Sequence, residues 1–214
     1  MKENYYDDEY FAWQKKMGIF GGKKNASKFR KYLHKESEVL DFGCGGGYLL
    51  ANIDVKMKIG VEINDVARNQ AIKNGVEAFK YCAEVPDNYC DVIISNHALE
   101  HVFNPFEELK SLKRILKPMG KIVFVVPNEK SKKFDKNDIN KHLYTWTAMN
   151  LGNLFEAVGF DVIQVSELHH RWPPFYLSID RFFGSYIFEL ACILYSYLRP
   201  NLSQIRIVAI KNEE

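Results

Sequence analysis

The chain has 214 residues, of which 26% are charged, and its formal net charge is +2. This length fits one domain with a substantial core, and the near-neutral charge argues against a nucleic-acid partner held by bulk electrostatics. No apolar run reaches the roughly 20 residues of a membrane-spanning helix, and the four cysteines, which lack metal or disulfide spacing, predict reduced thiols in a cytoplasmic protein.

Predicted strands alternate with predicted helices along the chain. Helices are expected at 9–16, 26–34, near Gly46, at 65–73, from Pro105, at 147–158 and at 179–198. Strands are expected at 38–42, 58–62, 76–81, 91–95, 121–126, 160–166 and 204–211. Strands that alternate with helices indicate an α/β fold with a doubly wound parallel sheet.

We expect a single domain over residues 1–214, made of four consecutive parts. Residues 1–36 are predicted to form a helical cap and residues 37–166 the core that binds a cofactor. Residues 167–203 are predicted to be a helical insertion, because some forty residues before the last strand are too many for an unstructured loop. Residues 204–214 are predicted to carry the last strand.

The most informative pattern is a glycine-rich turn after the first predicted strand, followed by Glu62 at the end of the second. Glycine lets a ligand approach the backbone, and a strand-end carboxylate accepts hydrogen bonds from ribose hydroxyls. The spacing is Gly43-x-Gly45-x-Gly47, with Tyr48 where a dinucleotide fingerprint has its third glycine. The turn resembles motif I of class I S-adenosylmethionine-dependent methyltransferases, and Glu62 resembles their motif II acid.

The resemblance implies a Rossmann-like, mostly parallel, seven-stranded sheet with an antiparallel last strand. It also implies that S-adenosyl-L-methionine is the cofactor. The residues Asp41, Gly43, Gly45 and Gly47 would surround its methionine part, and Ile63 would pack on the adenine. The loop from Tyr81 resembles motif III, but Cys82 replaces the usual aspartate, so adenine recognition would depend on backbone groups near Ala83 and Glu84.

The segment after the fourth predicted strand resembles motif IV of small-molecule methyltransferases, which would place Asn96 and His97 beside the sulfonium. The same segment, from His97 to His101, spells H-x-x-E-H, a zinc pattern of inverted metalloproteases. That interpretation needs both histidines on one continuous helix and a distant third ligand. The pattern instead follows a buried strand in a nucleoside-binding series, so we predict no metal.

His142 lies between the fifth strand and the next helix, at the ligand-binding end of the predicted sheet. Similar methyltransferases often carry a histidine there. An imidazole is suited to removing a hydroxyl proton near neutral pH, so His142 is the predicted base and His101 the second choice. A hydrogen-bonded loop histidine is the structural alternative.

Aromatic residues near the N-terminus are predicted to form a lid. Their order, including Tyr5, Tyr6 and Gln14, resembles methyltransferases encoded among bacterial surface-polysaccharide genes. Gln14 would bind the cofactor, and Tyr5, Tyr6 and Trp172 would contact the substrate. The alternative is an ordinary packed amphipathic helix. The apolar stripe within 185–198 favours a core or homodimer contact over a membrane anchor.

The predicted activity is methyl transfer to an oxygen, less readily to a nitrogen, of a small molecule such as a surface-glycan precursor, a sugar, a quinone or a lipid head group. A nicotinamide-dependent oxidoreductase and a non-catalytic, cofactor-binding partner subunit are the alternatives. No nucleic-acid partner and no stable membrane insertion are expected.

Overall fold

Seven β-strands form one sheet in the computed structural model, which describes residues 18–129, 133–198 and 203–213. The strands are β1 (Glu38–Phe42), β2 (Met57–Val61), β3 (Glu77–Phe79), β4 (Cys90–Asn96), β5 (Leu116–Pro127), β6 (Phe160–Leu168) and β7 (Gln204–Lys211). Their spatial order is β3-β2-β1-β4-β5-β7-β6. The first five are parallel, and β7 runs antiparallel to both β5 and β6. The predicted fold class, with its antiparallel last strand, is confirmed.

In the described part of the chain, four α-helices connect the strands: α1 (Asp65–Lys73), α2 (Pro105–Ile115), α3 (Ala148–Val158) and α4 (Tyr176–Leu198). Helix α4 is broken at Gly184, which has φ 77° and ψ 172°. Residues 18–25 are also helical. Among the described residues, no helix combines the length and apolar character needed to cross a bilayer.

The sheet is covered on both faces, because successive strand residues point to opposite sides. Leu40 faces a core that contains Leu109 of α2 and Phe155 of α3. Val39, its neighbour in the chain, faces a second core that contains Phe29 and also Ala71 of α1. Burial on both faces explains why the central strands read as continuous apolar runs.

Two predicted helices are wrong. The helix expected at 26–34 is replaced by two 3-10 turns, Ala26–Lys28 and Arg30–Tyr32. The helix expected near Gly46 is replaced by turns and a short 3-10 segment, Leu50–Asn52. Gly45 and Gly47, on either side of Gly46, have φ values of +54° and +72°, so the backbone cannot continue as a right-handed helix there.

The 18–25 helix packs against α4. The Phe20 ring lies 5.1 Å from Trp172, 5.1 Å from Tyr176 and 5.6 Å from Phe188, measured between centroids. Lys24 is buried, where it pairs with Asp180 and donates a hydrogen bond to Ser185 at 2.8 Å. These contacts join the N-terminal region to the insertion before β7.

Candidate functional site

The turn after β1 is a tight backbone loop with an open centre. Gly43 has φ +73°, and a Cβ on it would lie 2.4 Å from the Cβ of Ala98. A Cβ on Gly47 would press on Ala71 of α1, at 3.0 Å from its Cα. A Cβ on Gly45, between them, would meet nothing within 4 Å. The two outer glycines are required by packing, and the middle one borders open space beside the backbone.

Glu62, directly after β2, closes this turn. Its Oε2 accepts a hydrogen bond from Gly45 N at 2.9 Å, and its Oε1 accepts one from Asn64 N at 2.8 Å. Asn64 in turn caps α1 by accepting from Ala67 N at 2.8 Å. Burial raises the pKa of the Glu62 carboxyl, and these backbone hydrogen bonds oppose the rise. The carboxylate is therefore fixed in direction by the backbone around it.

Asp41 lies behind the same turn and is almost fully buried. Burial raises the pKa of its carboxyl well above the usual value, and the charge of Glu62 adds to the rise. A buried carboxyl with a raised pKa can hold its proton and donate a hydrogen bond. Asp41 and Glu62 are thus two buried carboxyl groups near one loop, and burial raises the pKa of both.

The predicted adenine side is only partly built by side chains. Ile63 is exposed immediately after Glu62. The carboxylate of Glu84 accepts from Lys80 N at 2.8 Å, so it serves to cap its own 3-10 turn. Cys82 is buried in the core, next to the Glu108 side chain. Cys82 occupies the position where the resemblance would place an aspartate, and adenine binding by the backbone near Ala83 stays a prediction.

Asn96 ends β4 and His97 follows it, and both side chains contact neighbours. The Asn96 side-chain oxygen accepts from the Nζ of Lys28 at 2.9 Å. Lys28 is buried and also donates to Gln204 at 2.7 Å. Burial lowers the pKa of Lys28 to about 7. His97 has φ +61°, and its Nδ1 lies 3.4 Å from Oε1 of Glu100.

The two predicted base candidates are brought together although they are distant in sequence. The ring centroids of His101 and His142 are 4.8 Å apart. The backbone holds the two segments in place, because Leu143 N and Tyr144 N both donate to the Glu100 carbonyl, at 2.9 and 3.3 Å. Burial lowers the pKa of His101, and the nearby His142 and His97 rings lower it further, against the raising effect of Glu100 and Glu129.

Glu129 was missed at the sequence level. Its Oε2 lies 2.6 Å from Nδ1 of His142, and both side chains are largely shielded from solvent. Glu129 stands two residues after β5, at the same edge of the sheet as Glu62 and Asn96. Its position at a strand end was the signal that could have identified it.

A metal ion could be held by Glu100, His101 and His142, whose ligand atoms lie within 4.8 Å of one another. Glu100 is fully buried, and neither carboxylate oxygen has a hydrogen-bond partner among the described residues. The protease interpretation of H-x-x-E-H is wrong, because Leu99–His101 is a 3-10 turn and His97 has a positive φ. The histidines are therefore not one turn apart on a continuous helix.

Three predicted site residues lie outside the described residues: Tyr5, Tyr6 and Gln14. Trp172 lies within the aromatic cluster that joins Phe20 to Tyr176, with ring centroids 5.1 and 5.0 Å away. A substrate contact from Trp172 stays a prediction.

The chain was compared with known protein families and structures. A family model described as a methyltransferase domain matches residues 20–165. The ubiquinone biosynthesis O-methyltransferase of Aeromonas salmonicida (strain A449) is 27% identical over 158 residues, which are 62% of this chain and 66% of that protein. The same enzyme of Aliivibrio fischeri (strain MJ11) is 32% identical over 110 residues, 45% of this chain and 47% of that protein. The chain thus spans about half to two thirds of these relatives.

Solved structures share the fold at low identity. A Thermotoga maritima S-adenosylmethionine-dependent methyltransferase has a TM-score of 0.67 at 18% identity, covering 96% of this chain and 95% of that one. A phosphoethanolamine N-methyltransferase of Haemonchus contortus, solved with S-adenosylhomocysteine, has a TM-score of 0.69 at 16% identity, covering 98% of this chain and 60% of that one.

Proposed function

The chain belongs to the family of class I S-adenosylmethionine-dependent methyltransferases, and on that premise we propose that it methylates an oxygen atom of a small molecule. The nicotinamide-dependent alternative is set aside by this membership, and the cofactor is S-adenosyl-L-methionine. The site residues fit that cofactor, since the glycine turn opens at Gly45 and Glu62 holds two fixed carboxylate oxygens beside it.

The observation that carries the proposal is the Glu129–His142 contact of 2.6 Å, at the same edge of the sheet as the glycine turn. A carboxylate facing Nδ1 favours the tautomer with the proton on Nδ1, which leaves Nε2 as the proton acceptor. The proton position is inferred from the partner. We assign His142 as the general base that removes the acceptor hydroxyl proton at Nε2, with Glu129 as its positioning residue.

The residues that would bind the cofactor contribute to catalysis by positioning it. When bound, S-adenosylmethionine supplies an electrophilic methyl group on a positively charged sulfur. Glu62 would accept hydrogen bonds from the ribose hydroxyls, and the turn from Gly43 to Gly47 would let the ligand lie against the backbone. Orientation and exclusion of water then provide much of the rate.

A hydroxyl acceptor is favoured over an amine because a base stands ready to take its proton. The non-catalytic alternative is disfavoured for the same reason, since a subunit that only binds needs no paired Glu129 and His142. The curated relatives are named as O-methyltransferases of ubiquinone biosynthesis, which supports a phenolic acceptor. The order of the N-terminal aromatic residues, which resembles that of methyltransferases encoded among surface-polysaccharide genes, supports a surface-glycan precursor as the acceptor instead. The four cysteines are all buried free thiols, which supports a reducing, cytoplasmic location.

Transfer of a labelled methyl group tests the proposal. The protein would be incubated with methyl-labelled S-adenosylmethionine and one acceptor at a time: a catechol, a quinone precursor, a nucleotide-activated sugar or a primary amine. We expect the label in a base-stable ether of a hydroxyl acceptor. Label in the amine alone would overturn the assignment to oxygen, and no transfer to any acceptor class would favour a non-catalytic subunit.

A further inference from the structure

Helix α4 contacts the rest of the protein along only one narrow stripe. Its fully buried residues are Phe188, Cys192 and Ser196, each four residues from the next. Residues four apart lie on one face of a helix. The remaining faces of the C-terminal part of α4 are turned away from the described residues.

These other faces are apolar. Seven large apolar side chains there are between 41% and 78% exposed, namely Tyr186, Ile187, Leu190, Ile193, Leu194, Tyr197 and Leu198. Phe182 and Phe183, just before the break at Gly184, are 74% and 67% exposed. Since an aromatic side chain alone contributes roughly 150 Å², the patch is on the order of 1,000 Å². The largest apolar patch on an ordinary monomer is about 300–600 Å², so this surface is larger than a monomer normally leaves uncovered.

The exposed residues follow the spacing of a helix–helix contact. After the break at Gly184, Tyr186, Leu190, Ile193 and Tyr197 are separated by four, three and four residues. This alternation forms the seam along which two helices pack side by side.

The charges of α4 point to the same kind of partner. Its two acids face inward, where Asp180 pairs with Lys24 and Glu189 lies 3.0 Å from His170. Arg181, the one basic residue of α4, precedes the break at Gly184, and the helix after the break contains no lysine or arginine. A helix that lies on a membrane is usually rich in both. An identical helix placed against the seam, in contrast, meets no like charge.

We propose that this face of α4 binds α4 of a second copy of this chain, giving a two-fold symmetric dimer. A specific interface buries about 800 Å² on each partner, which the patch can supply. A two-fold axis requires a surface that is complementary to itself, and an uncharged apolar seam meets that requirement. The dimer contact would also stabilise the position of Trp172, since its ring packs against Phe188 and Tyr176 of α4.

The experiment measures mass in solution. Sedimentation or light scattering of the full chain at 1–100 µM, roughly the range in which dimers of this interface size form, should give a dimer. Leu190→Glu should weaken the dimer at least a hundredfold, because it places two charges at the seam. Met149→Glu is the matched control, since Met149 is an exposed apolar residue on α3, and it should leave the dimer intact. Circular dichroism and S-adenosylmethionine binding should be unchanged in both variants.

Cross-linking gives a second readout that does not depend on a charge. All four native cysteines are buried, so Leu190→Cys adds the single accessible thiol of the described residues. It should form a disulfide-linked dimer under mild oxidation, and Met149→Cys should not. A monomer at 100 µM, equal dissociation by both glutamate variants, or a monomer that co-sediments with lipid vesicles would each overturn the proposal.

Discussion

Replacing His142 with asparagine probes the proposed base most closely. Asparagine keeps a similar size and a hydrogen-bonding group, but it cannot take up a proton near pH 7. The contact with Glu129 is short and largely shielded from solvent, so the imidazole is held in place and its loss removes proton transfer rather than general packing. General base catalysis contributes about 10²–10⁴-fold, and we expect turnover to fall by roughly a hundredfold or more.

The assay is the initial rate as a function of pH, with the acceptor found by the labelling screen. The native enzyme should become faster with rising pH over the range in which an imidazole loses its proton, and His142→Asn should lose this limb. Glu129→Gln should keep the limb and reduce kcat by about tenfold, with the acceptor KM unchanged, because it impairs only the orientation of the ring. S-adenosylmethionine affinity should stay near native in both variants.

Near-native turnover in His142→Asn, with the pH limb intact, would refute this reasoning. The base would then be His101, or the acceptor would arrive with its nucleophile already deprotonated. A raised acceptor KM with the pH limb intact would instead indicate that His142 only positions the substrate.

Three further predictions concern a metal, a buried lysine and the glycine turn. Turnover should be unchanged by a chelator. If the chelator abolishes turnover and zinc or another divalent cation restores it, then Glu100, His101 and His142 hold a metal. The free energy of unfolding of the native protein should rise by about 2 kcal/mol between pH 7 and 9, relative to that of Lys28→Met. The reason is that Lys28, with its pKa lowered to about 7, loses its proton in the folded state over this range, whereas the unfolded chain keeps it. The same pH dependence of unfolding free energy in both proteins would contradict this. Gly43→Ala should lower the free energy of unfolding in urea by roughly 2–4 kcal/mol, because of its positive φ and the clash with Ala98. Gly75→Ala is the control: Gly75 also has a positive φ but has open space around it, so this variant should lose only about 1–2 kcal/mol.

The sheet could be predicted because its determinants are local. The strand Gln204–Lys211 matches its prediction residue for residue, and Asp65–Lys73 does so for α1, whose Asn64 cap is visible in the sequence. The failures at 26–34 and near Gly46 are places where packing and positive φ values override helical propensity.

The candidate site was predictable only in part, for a related reason. The glycine turn and Glu62 lie at strand ends within one βαβ unit, so sequence order reveals their proximity. The partnership of Glu129 with His142, and that of Lys28 with Asn96, join segments 13 and 68 residues apart. No local pattern encodes such contacts, and only the folded chain brings them together.

The central claim is that Glu62 and the glycine turn form the S-adenosylmethionine site. Titration calorimetry of Glu62→Ala tests it most directly, with Glu77→Ala as the control because Glu77 is an exposed acid on the neighbouring strand β3. The account predicts that Glu62→Ala binds S-adenosylmethionine at least tenfold more weakly, about 1.4 kcal/mol, through loss of charge-assisted hydrogen bonds, and that Glu77→Ala binds it like the native protein. An unchanged dissociation constant in a folded Glu62→Ala variant would contradict the account.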